Sequence, residues 1–194
     1  MDIRIAKITF ILGILAIVAI RAPHGRKGAK IKIIKTCRTP LEVGLLMLMW
    51  LGSVILPVLW VATPIFSFAD YHAHLFPFAI GALVFSAGLW LFRRSHTDLS
   101  TNWSVSLDIR ENHALISSGV YRRIRHPMYA AIFLQAIGQM LLVPNWIVGP
   151  FNLGAFLLMF CCRIGPEERL MLDHFGDEYK SYQQRSKRLI PGVW

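Results

Sequence analysis

Between Thr39 and Phe92 the sequence contains neither lysine nor arginine. Across the whole chain only 16% of residues are charged, against 55% hydrophobic, with a mean hydropathy of +0.48. A soluble domain rarely carries so little charge beside so much apolar surface, so the chain reads as an integral membrane protein. Cysteine is scarce too. Cys37, Cys161 and Cys162 make neither an even framework nor a ligand spacing, which excludes a disulfide scaffold and a zinc module. There is no GxGxxG turn, no GxSxG elbow and no HExxH pair. A Rossmann cofactor site, acyl-enzyme chemistry and metalloprotease chemistry are therefore disfavoured.

Acidic residues are outnumbered, 11 against 21 lysines and arginines, giving a net charge of +10. In a soluble chain that excess would raise nucleic acid as a partner. The distribution points elsewhere, because the basic residues fall in blocks at Arg21–Arg38, Arg93–Arg125 and from Arg163 onward. Basic loops between apolar runs follow the positive-inside rule. No nucleic-acid partner is expected; the partners are membrane lipid and whatever the polar loops receive.

Five apolar runs predict an all-α membrane protein with helices over about 5–21, 40–63, 74–93, 127–143 and 146–163. The first run resembles a signal peptide, but the basic stretch "RAPHGRKGAKIKIIK" behind it resists translocation and favours a retained helix. Only Pro144 and Asn145 separate the last two runs, which predicts a tight helical hairpin. Gly138, Gly149 and Gly154 would let its helices approach closely. Charge then orients the chain, with the N-terminus and the loop Thr63–His74 outside and every basic loop on the cytoplasmic side. A further interfacial helix is expected from Pro166 towards Arg185, carried through Gly176. The chain reads as a single membrane domain, with a transmembrane part over 1–93 and a cofactor-binding and catalytic part over 94–194.

Polar residues with chemical potential lie in two cytoplasmic blocks, "NWSVSLDIRENHALISSGVYRRIRHPMY" and "RIGPEERL", which the hairpin brings together. Pro127 opens a helix whose first amides can receive a carboxylate. Tyr121, His126 and Tyr129 offer rings and hydrogen-bond groups to a purine or ribose, and Glu167 offers a carboxylate. Arg163 is placed to clamp a second carboxylate with its planar fork.

"SGVYRRIRHPMY", the apolar stretch after it, "EERL" and "FGDEYKSY" resemble the isoprenylcysteine carboxyl methyltransferase family, over roughly Asn102 to the C-terminus. That pattern is RHPxY, a hydrophobic segment and a Glu–Glu pair, here Arg125–Tyr129 and Glu167–Glu168. The resemblance implies an S-adenosylmethionine-dependent enzyme that methylates a carboxylate and releases S-adenosylhomocysteine. It implies cofactor contacts at His113, Ala114, Leu115, Ile116, Tyr121, His126, Pro127, Met128, Tyr129 and Glu167. Arg163 would hold the substrate carboxylate as the catalytic and substrate-binding residue, with no metal. The acceptor would be a lipid-like acid such as a prenylated protein C-terminus. The site would face the cytoplasm, in the cell membrane of a prokaryote, the favoured setting, or the endoplasmic reticulum of a eukaryote. Even with the motif, Ser106 and Glu168 read more simply as structural, and an amine N-methyltransferase, a nicotinamide-dependent reductase or a scaffold stays open. A carboxylate is already ionised at neutral pH, so the absence of an obvious general base agrees with the first reading.

Overall fold

The computed structural model describes residues 1–28, 33–36, 39–100, 108–110 and 114–192. Helices dominate: α1 (Ile3–Gly28), α2 (Pro40–Trp50), α3 (Leu56–Ala62), α4 (Leu75–Leu99), α5 (Pro127–Leu142), α6 (Val148–Phe175) and α7 (Asp177–Arg185). The expected all-α fold gains one short antiparallel ribbon, β1 (Ile33–Thr36) against β2 (Asp108–Arg110), which ties the first basic loop to the second. His113 and Ser106 lie outside the described residues.

Four segments are long and apolar enough to cross a membrane: Ile3–Arg26, Pro40–Ala62, Leu75–Leu99 and Val148–Phe175. The expected fifth, α5, is shorter at 16 residues, about 24 Å of helix. It starts at Pro127 as expected and ends one residue early, at Leu142, while Arg125 and His126 ahead of it are folded against the C-terminal segment. Large apolar side chains such as Leu12, Leu15, Met47 and Leu83 stand exposed on the outside of the bundle, as lipid-facing residues do.

The second span is not a plain helix. Thr39 caps α2 by accepting from the Glu42 amide at 3.1 Å, with Pro40 in the first turn. A π-helical turn, Leu51–Ile55, then joins α2 to α3. The Leu56 amide bonds Leu51 O, and Pro57 has no amide to offer Gly52 O. That carbonyl is instead satisfied by Gln139 Nε2 of α5 at 2.9 Å. A lipid-embedded backbone requires such repair, since no water can supply it.

The tightest packing is between α4 and α5. A Cβ on Gly138 would lie 2.7 Å from Phe85 Cβ, one on Gly81 would lie 2.8 Å from Leu141 Cβ, and one on Gly88 3.0 Å from Gln135 Cγ. Gly138 therefore serves α4, not the α5–α6 hairpin. Gly149 fits against the Val143 carbonyl at the hairpin turn, and Gly154 meets nothing within 4 Å. The small residues sit where three helices meet; spacing along one helix does not reveal which neighbour they admit.

Asn145 organises the hairpin turn. Its Oδ1 accepts from the Ile147 and Val148 amides, capping α6, while its Nδ2 donates to Phe66 O and Asp70 Oδ1. Asp70 also accepts from Trp60 Nε1 at 2.7 Å, and the N-terminal ammonium reaches Ala73 O at 2.9 Å. The N-terminus, the 63–74 loop and the hairpin thus share one end, as the charge pattern predicts.

The C-terminal region departs from expectation. Pro166 does not open a new helix; α6 runs through it to Phe175. The break comes at Gly176, whose φ of +55° lies in the left-handed region that glycine adopts at little cost. The following α7 turns Tyr179 and Tyr182 inward, each 2% exposed, so this helix is part of the core rather than a surface layer.

Candidate active site

Residues 123–126 enter α5 through backbone pairing with the far C-terminus. Arg125 N donates to Lys187 O, His126 N to Arg188 O, and Lys187 N to Arg123 O. Tyr182 Oη braces the same segment, donating to Tyr121 O at 2.6 Å. This pairing delivers three side chains of RHPxY to the glutamates of α6.

The two glutamates do different work. Glu168 is held by Arg188 Nη2 at 2.8 Å, Arg125 Nε at 3.1 Å and His126 Nε2 at 3.3 Å, with its side chain 9% exposed. Arg125 further donates to Gln183 O and Ser186 O, so it staples the C-terminal segment in place. Glu168, read more simply as structural from the sequence, is the hub of this cage. Glu167, 26% exposed, faces a cavity of about 420 Å³. Its Oε2 accepts from Tyr129 Oη at 2.5 Å and lies 3.7 Å from Arg163 Nε; its Oε1 lies 3.6 Å from His126 Nδ1.

His126 therefore stands between two carboxylates, one at each ring nitrogen. Burial alone would lower its pKa, but the hydrogen bonds to Glu167 and Glu168 outweigh burial and raise it above the ordinary value. Arg188, hydrogen-bonded to Glu168, is likewise raised. Burial lifts the Tyr121 hydroxyl strongly and that of Tyr182 to about 12, so both remain donors at neutral pH.

Arg163 is 9% exposed and lies 3.5 Å from Glu42 Oε1, on α2. A guanidinium so deep in a bundle needs paired acids, and it has one on each side. Glu42 drew no functional reading from sequence, because at the start of an apolar run it looks like a dipole partner. Only the approach of α2 to α6 reveals it.

Of the expected site residues, Tyr121, His126, Met128, Tyr129, Arg163 and Glu167 line the cavity. Pro127 is buried at the first turn of α5, behind them. Ala114, Leu115 and Ile116 lie in the segment before Ser118 and are not among the lining residues. Tyr179, Tyr182 and Arg21 also line it. No local spacing announces them.

The cavity floor offers a partly open carboxylate at Glu167, the start of α5 at Met128 and Tyr129, and the rings of Tyr121, Tyr179 and Tyr182. The polar floor continues upward into an apolar chamber lined by Ile14, Met49, Phe85, Ile132 and Met159. Its volume lies within the range of small-molecule sites.

The isoprenylcysteine carboxyl methyltransferase family matches residues 78–173. Over 92 residues, 47% of this chain, the sequence is 34% identical to protein-S-isoprenylcysteine O-methyltransferase of Tribolium castaneum, covering 33% of that protein. It is 31% identical over 81 residues, 42% of this chain, to the protein of that name from Schizosaccharomyces pombe, covering 34% of it. For the human protein of that name the figures are 32% identity, 47% of this chain and 32% of that one. These matches span about a third of each relative's length. A solved structure of the eukaryotic intramembrane Ras methyltransferase, an isoprenylcysteine carboxyl methyltransferase, superposes with a TM-score of 0.54 and 26% identity, over 78% of this chain and 50% of that one.

Proposed function

We propose, from the match over residues 78–173, that the chain is a member of the isoprenylcysteine carboxyl methyltransferase family and methylates the carboxylate of a lipid-like acid, the C-terminal carboxyl of a prenylated cysteine being the leading acceptor. S-Adenosylmethionine is the proposed cofactor and supplies an electrophilic methyl group on sulfur. The carboxylate becomes a neutral methyl ester, and the cofactor leaves as the neutral thioether S-adenosylhomocysteine.

The observation that carries the reading is Arg163, a buried guanidinium in the cavity wall, one helical turn from a glutamate that is open to the same space. Glu42 and Glu167 flank the guanidinium, and Arg163 is the residue assigned to the incoming carboxylate. Around the cavity floor Arg125, Arg163, Arg188 and His126 face Glu42, Glu167 and Glu168. Tyr129 donates to Glu167 Oε2 and so holds this carboxylate at the cavity wall, where it is the group assigned to ligand hydroxyls. His113, Ala114, Leu115 and Ile116 remain proposed cofactor contacts on the family resemblance alone, as do Pro127 and Met128 at the helix start.

The chain's residues supply position and dryness rather than proton transfer. The acceptor is already ionised, so no base is needed. The charges of acceptor and donor cancel as the methyl moves, and exclusion of water by the apolar walls then favours transfer. Residues 94–194 hold the cofactor in this reading, residues 1–93 wall the chamber, and the site opens at the cytoplasmic face.

Purified protein is supplied with methyl-labelled cofactor and, in parallel, a farnesylated cysteine derivative and phosphatidylethanolamine. Label that appears in the cysteine derivative and is released as methanol in mild base supports the ester. Base-stable label in the phospholipid would instead assign an amine methyltransferase.

A further inference from the structure

Glu42 stands on α2, in the half of the chain that the methylation reading treats only as wall. Thr39-Pro40-Leu41-Glu42 has the spacing of a capping box, in which the glutamate serves the start of its own helix. The fold gives this carboxylate a further neighbour. The Glu42 side chain is 6% exposed, and its Oε1 lies 3.5 Å from Nη2 of Arg163, itself 9% exposed, on α6. Glu167 Oε2 lies 3.7 Å from Arg163 Nε, one turn along the same helix. Arg163 and Glu167 line the cavity; Glu42 is not among the lining residues.

The two contacts differ in what they fix. Glu167 belongs to α6, so its contact ties the guanidinium to its own helix. Glu42 ties it to another element. A planar group engaged at two nitrogens has little freedom to swing about its stem. As a mere link between helices, a buried ion pair has no advantage over an apolar contact of similar size, because desolvating both charges offsets their attraction. What a carboxylate adds is direction. The same face of α2 continues at Leu46 and Met49, four and seven residues on, and both line the apolar chamber. One helix therefore grips the guanidinium and forms part of the wall beside which an acceptor tail would lie.

We infer that Glu42 is a positioning residue for the reaction: it holds the Arg163 fork in register with the chamber, so that a carboxylate clamped by Arg163 and a tail lying against α2 are placed together. It acts through Arg163, from behind the cavity wall. This rests on the proposed carboxyl methylation, and it brings residues 1–93 into the chemistry as more than a wall. A misplacement of about 1 Å at the reacting group is enough to cost about a hundredfold in rate.

The test uses the full chain in detergent. Glu42→Leu removes the acceptor oxygen, whereas Glu42→Gln keeps one to which Arg163 can still donate. Methyl transfer to N-acetyl-S-farnesylcysteine is measured per S-adenosylhomocysteine site counted by calorimetry, so that a smaller folded fraction does not pass for a slower enzyme. Glu42→Leu should lower kcat about ten- to a hundredfold. KM for the acid and the affinity for S-adenosylhomocysteine should change by less than about threefold, the split expected when alignment and not binding is lost. Glu42→Gln should recover most of kcat. Should Glu42→Leu fail to fold, Glu42→Asp, a methylene shorter, takes its place with the same expectations. A wild-type kcat in the variant lacking the contact, or a Glu42→Gln no better than that variant, overturns the inference. Arginine-selective nitrogen NMR reads the contact without turnover. The Nη signals of Arg163, identified by their loss in Arg163→Lys, should be separate in wild type and in Glu42→Gln, and should merge in Glu42→Leu as the group turns freely. Merged signals in wild type also overturn the inference. Signals that behave as expected in a protein that transfers no label to the acid would sink the methylation reading and leave Glu42 as the residue that aims Arg163.

Discussion

Arg163 and Glu42 form a pair whose members can be separated experimentally. Removing the guanidinium alone leaves Glu42 buried without that partner, a cost of about 3–5 kcal/mol for comparable pairs. Arg163→Ala should therefore lower both methyl transfer and thermal stability. Arg163→Met with Glu42→Gln should restore much of the stability while leaving transfer absent, which separates the role in the reaction from the role in the fold. Lysine at 163 should rescue poorly, because a point charge cannot replace the fork. Recovery of full transfer by Arg163→Lys would argue against a carboxylate clamp. His126 makes a second prediction at this scale. Its pKa is raised in the folded protein, where Glu167 and Glu168 hydrogen-bond the ring. The stabilisation is fully present below the ordinary value of about 6.5 and disappears as pH rises through the elevated folded value. Melting temperature in detergent should fall across that window in wild type and change less in His126→Asn. A flat wild-type profile would contradict the assignment.

At the scale of elements, α4 and α5 are joined by backbone contact and α7 by a turn. Gly138→Val would drive two methyl groups into the backbone of α4, where a Cβ alone already meets Phe85 Cα at 2.9 Å. Overpacking of this kind costs about 1–3 kcal/mol where neighbours can adjust, and here the neighbour is backbone. Gly154→Ala meets no atom and should be neutral, or stabilising by up to about 1 kcal/mol through helix propensity. Thermal unfolding of the two variants checks the contrast; similar melting temperatures would mean that α4 and α5 are less closely apposed. These contacts also bear on the site. Gly88 seats Gln135, and Gly138 sets the depth of α5 against the chamber, so α4 shapes a cavity to which the charged motifs contribute only the floor.

For the whole molecule, two ends with different chemistry follow from the fold. One holds Asp70, which accepts from Trp60 and Asn145, with the N-terminal ammonium of Met1 donating to Ala73 O. The other holds Arg125, His126, Arg163, Arg188 and their glutamates. Single cysteines placed at Phe68 and at Glu178, with the native cysteines replaced by serine, should react with an impermeant thiol reagent from opposite sides of a sealed vesicle. Labelling of both from one side would rearrange the crossings.

How much of this was legible in the sequence varies with distance along the chain. Apolar runs, their charged flanks and the RHPxY and Glu–Glu segments are local patterns, and they determined the helices, the shared end of the basic loops and six lining residues of the cavity. Lengths were less legible. Pro166 stands inside the uninterrupted α6 rather than opening a helix, and the break falls at Gly176 instead. Which of two adjacent glutamates faces the cavity is a matter of helix rotation, about 100° per residue, and only packing sets that rotation. The same holds for Glu42 beneath Arg163, for the C-terminal turn that threads Tyr179 and Tyr182 into the wall, and for Gln139 repairing a carbonyl on another span. Composition and periodicity determined that these residues would be helical and in a membrane. Tertiary structure alone decided which of them meet, because side-chain contact between helices depends on their relative depth and rotation, and neither quantity is written in any one segment.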